Sequence, residues 1–174
     1  MRPLPPITVG QHQSPAELHQ KLIAAGVRFG EPWVPELLLA RLVLSTEPCE
    51  VNLVAVNIHD DLRLHVGCQY EDILAVGSAH GLKLCAMEDV FEARLAYLDQ
   101  PCDEFLTAMM VPETVSSSDG DIEVVLTVER MSGMGPNPWM RARSKQIVPV
   151  ASMRKEPGWN PFNDPAFHNV IFRS

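Results

Sequence analysis

The sequence has no long apolar runs of the kind that membrane-spanning helices require. Its best stretch of near-continuous apolar residues, 37–44, is interrupted by Arg41 and falls well short of the ~18 residues of a span. The first ten residues, MRPLPPITVG, contain no hydrophobic segment of the signal-peptide type. These absences exclude a membrane partner and predict a cytoplasmic protein.

Cysteine is also sparse. The four residues are spaced 19, 17 and 17 positions apart and form no Cys-x-x-Cys pair: Cys49, Cys68, Cys85 and Cys102. A chain of 174 residues with 46% apolar content can bury an ordinary core and does not need disulfides. We therefore predict buried free thiols. A disulfide is the alternative if the protein is secreted.

The common catalytic and cofactor motifs are missing. There is no Gly-x-x-x-x-Gly-Lys, no Gly-x-Gly-x-x-Gly and no Gly-x-Ser-x-Gly. Cys85 lies among apolar neighbours, which predicts a buried thiol and not a nucleophile. The adjacent carboxylates are typical of solvated turns or helix starts: Asp60-Asp61, Glu71-Asp72, Glu88-Asp89 and Asp103-Glu104. The sequence thus predicts no catalytic residues and no cofactor, and it leans against an enzyme.

Charge is unevenly distributed along the chain. The net charge is −8, and residues 1–129 carry −13 whereas residues 130–174 carry +5. The acidic balance disfavours nucleic-acid binding. The basic quarter either neutralises the acidic body, within one fold or across a homo-oligomer such as a dimer, or forms an anion-binding face.

Local signals place helices early in the chain. Residues 1–13 contain several prolines and no periodicity, which predicts a loosely ordered arm before one domain over residues 14–174. Ser14-Pro15-Ala16-Glu17 has the form of a capping box, and Gly26 can end that helix. Residues 35–44 fit either a helix or a buried strand, with helix favoured. Residues 71–79 predict another helix, with Gly81 as its terminator.

Strand signals dominate later. Predicted strands cover 51–57, 62–66, 93–98, 105–111, 122–130, 139–144 and 169–172. Short polar turns, such as Gln100-Pro101, separate the later strands and suggest a meander. The expected fold class is therefore α+β, with N-terminal helices packed on a mainly antiparallel C-terminal sheet.

One segment carries a family resemblance. Between Tyr70 and Pro112 the chain contains GLKLC at 81–85, Tyr97, Gln100-Pro101 and MMVP at 109–112. These residues resemble a motif of small uncharacterised bacterial proteins. The resemblance covers about a quarter of the chain and implies an autonomous bacterial domain, without naming any chemistry.

A cluster of metal-ligand types lies at residues 57–65. On an extended segment His59, Asp61, Arg63 and His65 would share one face, opposite the apolar residues. A cation between two would-be ligands opposes metal binding. We therefore interpret the cluster as the solvated face of a strand and predict no metal site.

The best candidate for ligand binding is the basic segment 139–145. On a strand, one face would carry Trp139, Arg141, Arg143 and Lys145. An aromatic ring beside guanidinium groups can hold an acidic group of a small ligand or a protein partner. The alternative is that these cations face the acidic body or another subunit.

Two function classes remain open at this point. The absence of catalytic motifs favours a non-enzymatic domain that binds a ligand or another protein. The alternative is a small hydrolase or transferase whose site is assembled from residues distant in sequence.

Overall fold

The computed structural model describes residues 1–30, 33–65, 68–117, 120–130, 139–144 and 169–174. Four helices lie within these ranges: α1 (Pro15–Ala24), α2 (Trp33–Arg41), α3 (Tyr70–Ala79) and α4 (Met87–Ala96). The strands in the same ranges are β1 (Arg2–Pro3), β2 (Ile7–Val9), β3 (Arg28–Phe29), β4 (Cys49–Val51), β5 (Leu53–Asn57), β6 (Glu104–Ala108), β7 (Glu113–Ser117), β8 (Gly120–Arg130), β9 (Trp139–Ser144) and β10 (Asn169–Arg173).

A mainly antiparallel sheet organises the fold. Within the described ranges, eight strands form it in the order β1-β5-β10-β6-β8-β9-β3, with β7 as a further neighbour of β8. The pairs β10–β6 and β3–β9 are parallel, and the other pairs are antiparallel. Strands β2 and β4 form a separate antiparallel pair. The predicted α+β class is confirmed.

The sheet is more than a meander of successive hairpins. The C-terminal strand β10 lies between β5 and β6, so strands from distant parts of the chain meet at this point in the sheet. Strands β1 and β2 also precede the first helix along the chain. Strand β1 pairs with β5, and β2 pairs with β4. The predicted placement of the helices before the sheet therefore matches only loosely.

The first 13 residues, for which the sequence predicts a loosely ordered arm, contain paired strands. Besides those pairings, the Arg2 guanidinium lies 5.7 Å from the centre of the Tyr97 ring and donates hydrogen bonds to Tyr97 and Glu104. The terminal ammonium of Met1 pairs with Asp61. Backbone ladders and ion pairs hold this segment against the body of the fold. The extent of the domain, residues 14–174, stays a prediction.

The predicted helix ends are confirmed where local capping decides them. The Ser14 hydroxyl accepts a hydrogen bond from the Glu17 N–H at 3.3 Å, and α1 begins at Pro15. Gly26 follows α1 with φ of +77°, and Gly81 follows α3 with φ of +79°. A left-handed residue after a helix costs glycine little, which explains both ends. The segment left open between helix and strand is the helix α2.

Two predicted strands are wrong. Residues 93–98, predicted as a strand, lie mostly in α4, whose start is fixed by a 2.7 Å hydrogen bond from the Ala86 N–H to the Asp89 carboxylate. Residues 62–65 of the predicted strand 62–66 follow a turn and form no strand, and Arg63 has φ of +58°. Asn57 accepts hydrogen bonds from the backbone of His59 and Asp60, which stabilises the turn.

Helix α4 is buried on all sides. It contacts β8 of the large sheet, β2 of the small sheet, and α1. Every residue from 88 to 94 is buried, including Glu88, Asp89, Glu92 and Arg94. Buried carboxylates need hydrogen bonds or counter-charges, so the partners of these side chains show which are structural.

Hydrogen bonds join distant parts of the segment from Tyr70 to Pro112. The Tyr70 hydroxyl donates to the Met110 carbonyl at 2.5 Å, and the Cys85 N–H donates to the Met109 carbonyl at 2.7 Å. Burial raises the pKa of Tyr70 to about 12. Cys68 and Cys85 are buried free thiols as predicted, whereas Cys49 and Cys102 are free but exposed, which corrects the prediction for those two.

Candidate functional site

Helix α4 turns two carboxylates towards the N-terminal segment. Glu88 and Glu92 are four residues apart, and this spacing places them on one face of a helix. That face lies against β2 and the residues that follow it. Both side chains are buried, although the sequence pattern predicts a solvated Glu88-Asp89 pair.

Glu88 has a full set of hydrogen-bond donors. One of its oxygens accepts from the Gly10 N–H at 2.7 Å, and the other accepts from the N–H and the hydroxyl of Ser45, both at 2.8 Å. The carboxylate thereby ties α4 to two loops that are distant in sequence. This number of donors compensates its burial, so Glu88 is a structural residue.

Glu92 has a different environment. Its Oε1 lies 2.7 Å from Nε2 of His12, and the two side chains are 7% and 3% exposed, respectively. Oε1 and both ring nitrogens are buried, and the described part of the chain brings them no contact besides this one and the neighbouring Glu17.

A second carboxylate borders the imidazole. Glu17 Oε1 is 3.7 Å from Nδ1 of His12. Glu17 is fixed by a hydrogen bond from the Gln13 N–H at 2.8 Å, and Lys21 pairs with it at 3.5 Å. The hydrogen bond from Gln13 is the main cause that lowers the pKa of Glu17. His12 therefore lies between an ionised, exposed carboxylate and a buried one.

Burial raises the pKa of Glu92. The loss of solvent is the largest cause, and the nearby Glu88 charge acts in the same direction. His12 and Lys21 act in the opposite direction without cancelling the effect of burial. A carboxylate whose pKa is raised in this way can accept or release a proton at a pH closer to neutrality than an ordinary carboxylate can.

Glu92 also lines a cleft between the N-terminal segment and α4. The cleft has a volume of about 290 Å³ and is lined by Pro6, Ile7, Thr8, Gln11, Glu92, Leu95 and Ala96. Glu92 is the only charged residue among the described residues of this lining. Clefts of roughly 300 Å³ are at the lower limit of those that hold small organic ligands.

The arrangement can bind a ligand or move a proton. Glu92 offers the cleft an acidic group, and His12 behind it can share a proton with that group. Nothing in the described ranges groups three or more His, Cys, Asp or Glu side chains as a metal site would. The residues beside His12 are two carboxylates and a lysine.

The third carboxylate of α4 belongs to the core. Asp89 accepts two hydrogen bonds from the Arg173 guanidinium, at 2.5 and 2.6 Å, besides the one from Ala86. The Cys85 thiol lies in the same region and donates to the Ile171 carbonyl at 3.5 Å. Burial and the Asp89 charge raise the pKa of Cys85, which leaves the thiol unsuited to nucleophilic attack.

The basic segment predicted to bind a ligand lies on β9. Its strand Trp139–Ser144 pairs with β8 on one side and β3 on the other, and Met140 is fully buried. The predicted binding residues Trp139, Arg141 and Arg143 are thus on a strand. Lys145 lies outside the described residues, and this ligand face stays a prediction.

The cluster at residues 57–65 is organised as a turn. His59 Nδ1 lies 2.9 Å from the Leu64 carbonyl, and Asp61 accepts from the Asn57 N–H at 2.8 Å while it pairs with the terminal ammonium. His65 is exposed. His59, Asp61 and His65 are therefore engaged with the backbone, the terminal ammonium or solvent. None of the three lies on a strand.

Reasoning from the sequence missed His12, Glu88 and Glu92. The spacing of Glu88 and Glu92 is a helix signal, but the surrounding residues showed no amphipathic pattern because α4 is buried all round. His12 is 80 residues from Glu92 and lies in a segment without periodicity. No local pattern could have joined them.

Comparison with known proteins adds no relative. The chain matches no protein-family model, no curated protein and no solved structure. None of the helices that the structure describes has the length and apolar character needed to cross a membrane.

Proposed function

We propose that this protein is a non-enzymatic binding domain whose ligand is a small molecule held in the cleft between β2 and α4. The observation that carries the proposal is Glu92, a buried carboxylate that lines the cleft, with Oε1 against His12 and no described hydrogen-bond donor to Oε2. Leaving such a group unsatisfied costs about 1–3 kcal/mol. A ligand that donates hydrogen bonds to Glu92 would recover part of this cost.

The walls of the cleft support binding of a molecule that is partly apolar. Ile7, Leu95 and Ala96 supply apolar surface, and Thr8 and Gln11 supply polar groups at the other wall. The Gln11 amide already donates to the Thr8 carbonyl at 2.8 Å, which fixes that wall. A few placed polar groups among apolar ones are typical of small-molecule sites.

A screen of small organic fragments by ligand-observed NMR tests the proposal. Fragments of about ten non-hydrogen atoms, a size that suits the volume, are expected to bind the wild type. Ala96→Trp should abolish binding because the indole fills the cleft, and Ala96 is an exposed site that tolerates the change. Ala96→Ser is the matched control and should bind as the wild type. Fragments that bind all three proteins equally would refute the cleft as the site.

A small hydrolase is the second candidate, favoured by the pairing of His12 with Glu92 beside the cleft. Such a pair, assembled from residues distant in sequence, is the arrangement that general acid–base catalysis uses. Hydrolysis of a nitrophenyl ester by the wild type, lost in Glu92→Gln, would favour this candidate over the first.

A further inference from the structure

From the charges around the cleft we infer that its ligand is a small organic cation, such as an amidine, a guanidine or a primary amine, bound through the Glu92 carboxylate. This inference rests on the proposed function and specifies the chemistry of the ligand. It depends on three observations: the sign of the charge at the cleft, the Glu92 oxygen that has no described hydrogen-bond donor, and the position of His12.

The charge at the cleft is negative. Among the seven lining residues that the structure describes there is no lysine or arginine, and Glu92 is their one ionisable group. Glu88 lies one turn before Glu92 on the same helix, and Glu17 lies on the far side of His12. Lys21 opposes the effect of this charge on Glu92, but it is 52% exposed and pairs with Glu17. A cation would be attracted here and an anion repelled.

Glu92 has room for a donor at one oxygen. Its Oε1 is buried against His12, and no described group donates a hydrogen bond to Oε2. An amidine, a guanidine or a primary amine can donate a charge-assisted N–H bond to Oε2. A buried carboxylate gains more from such a bond than an exposed one, because solvent screens it less.

His12 competes with the ligand for the same carboxylate. When the imidazole carries a proton, it neutralises Glu92 from 2.7 Å away. When Glu92 itself is protonated, it loses its attraction for a cation. Burial raises the pKa of Glu92, so protonation of Glu92 begins closer to neutrality as the pH falls, and binding should weaken in acid. Glu88, Glu17 and Lys21 are the other charged groups that face this pair.

Three isosteric probes test the charge of the ligand: benzamidine, benzamide and benzoate. We expect benzamidine to bind the wild type at pH 8 with a Kd on the order of 1 mM, as suits about nine non-hydrogen atoms. Benzamide and benzoate should bind at least tenfold more weakly. Titrations followed by protein-observed NMR report affinity and place the perturbed residues, and benzamidine affinity should fall when the pH is lowered to 5.

Two variants of the full chain complete the experiment. Glu92→Gln should reduce benzamidine affinity at least tenfold, whereas Glu36→Gln, which removes an exposed carboxylate from α2, should leave it unchanged. Folding of both is checked by the dispersion of their NMR spectra. Should Glu92→Gln misfold, Ala96→Trp tests whether benzamidine occupies the cleft, and the comparison of the three probes still tests the charge of the ligand.

The outcomes separate the two proposals. Benzamide or benzoate binding in the cleft as tightly as benzamidine would overturn the cationic ligand and leave the binding cleft standing. Equal loss of benzamidine binding in both glutamine variants would also overturn it, since bulk charge would then explain the effect. If no probe and no fragment perturbs the cleft residues, both proposals fail.

Discussion

Glu88 and Glu92 are the same residue type on the same face of the same helix, yet their surroundings are opposite. Glu88 accepts three hydrogen bonds from two loops. Glu92 receives no hydrogen bond from a described loop and meets His12 and a cleft instead. The difference shows that burial alone does not mark a functional carboxylate. A buried carboxylate whose donors are complete stabilises the fold, and one whose donors are missing is available to a ligand.

The largest loss of stability is expected at Asp89, which, like Glu88, is a buried carboxylate with hydrogen-bond donors. Asp89→Asn removes the charge that binds Arg173 in the core and should cost about 3 kcal/mol in the free energy of unfolding. Chemical denaturation measures the loss.

Asp72→Asn is the matched control. Asp72 occupies the same position of α3 and accepts the Gln69 N–H at 2.8 Å, but it is exposed, and no arginine of the described residues pairs with it. Its loss should be about 1 kcal/mol or less. Equal losses at the two sites would mean that the pair with Arg173 adds nothing.

A smaller loss is expected at Glu88. Glu88→Gln replaces one acceptor oxygen by an amide that cannot accept from Gly10 or Ser45, which should cost about 2 kcal/mol. The midpoint of urea unfolding checks this value against Glu92→Gln measured in parallel. If Glu88→Gln were no less stable than Glu92→Gln, the distinction between the two carboxylates would be lost.

The smallest effect belongs to Glu92, and its sign is reversed. Burial raises its folded pKa above the ordinary value of 4.5, so the unfolded chain releases this proton first as the pH rises. Ionisation of Glu92 therefore lowers stability as the pH passes upward through the folded pKa. Glu92→Gln removes this cost and should leave stability at pH 8 unchanged or raised, by at most about 1 kcal/mol.

The pH dependence of this difference is the sharper test. The advantage of Glu92→Gln over the wild type should shrink as the pH falls from 8 towards 4.5, because Glu92 becomes neutral in both states. Thermal unfolding at several pH values follows it. An advantage that grows in acid would contradict the raised pKa.

Much of the fold could be predicted where local chemistry decides it. Ser14 and Gly26 set the two ends of α1, through a cap and a left-handed residue. The strands predicted at 122–130, 139–144 and 169–172 are confirmed as β8, β9 and β10. Helix α4 was missed because the rule that reads helices needs one apolar face. A helix that is buried all round, with charged residues inside, has no such face.

The candidate site could not be predicted at all. Glu88-Asp89 has the local pattern of a solvated helix start, and only the packing of β2 and α1 over α4 removes it from water. The basic segment at 139–145 is visible in the sequence because its residues are contiguous. A site made of contiguous residues can be read from a sequence, whereas one made by contact between distant segments cannot.

The sequence by itself determined the α+β class, the ends of α1 and α3, and the later strands, because capping, glycine conformation and side-chain alternation act over a few residues. Only the tertiary structure decided that β10 enters the sheet beside β5, that α4 lies in the core, and that His12 meets Glu92 at a cleft. Those features depend on which distant surfaces exclude water together, and this is a property of the whole packed chain.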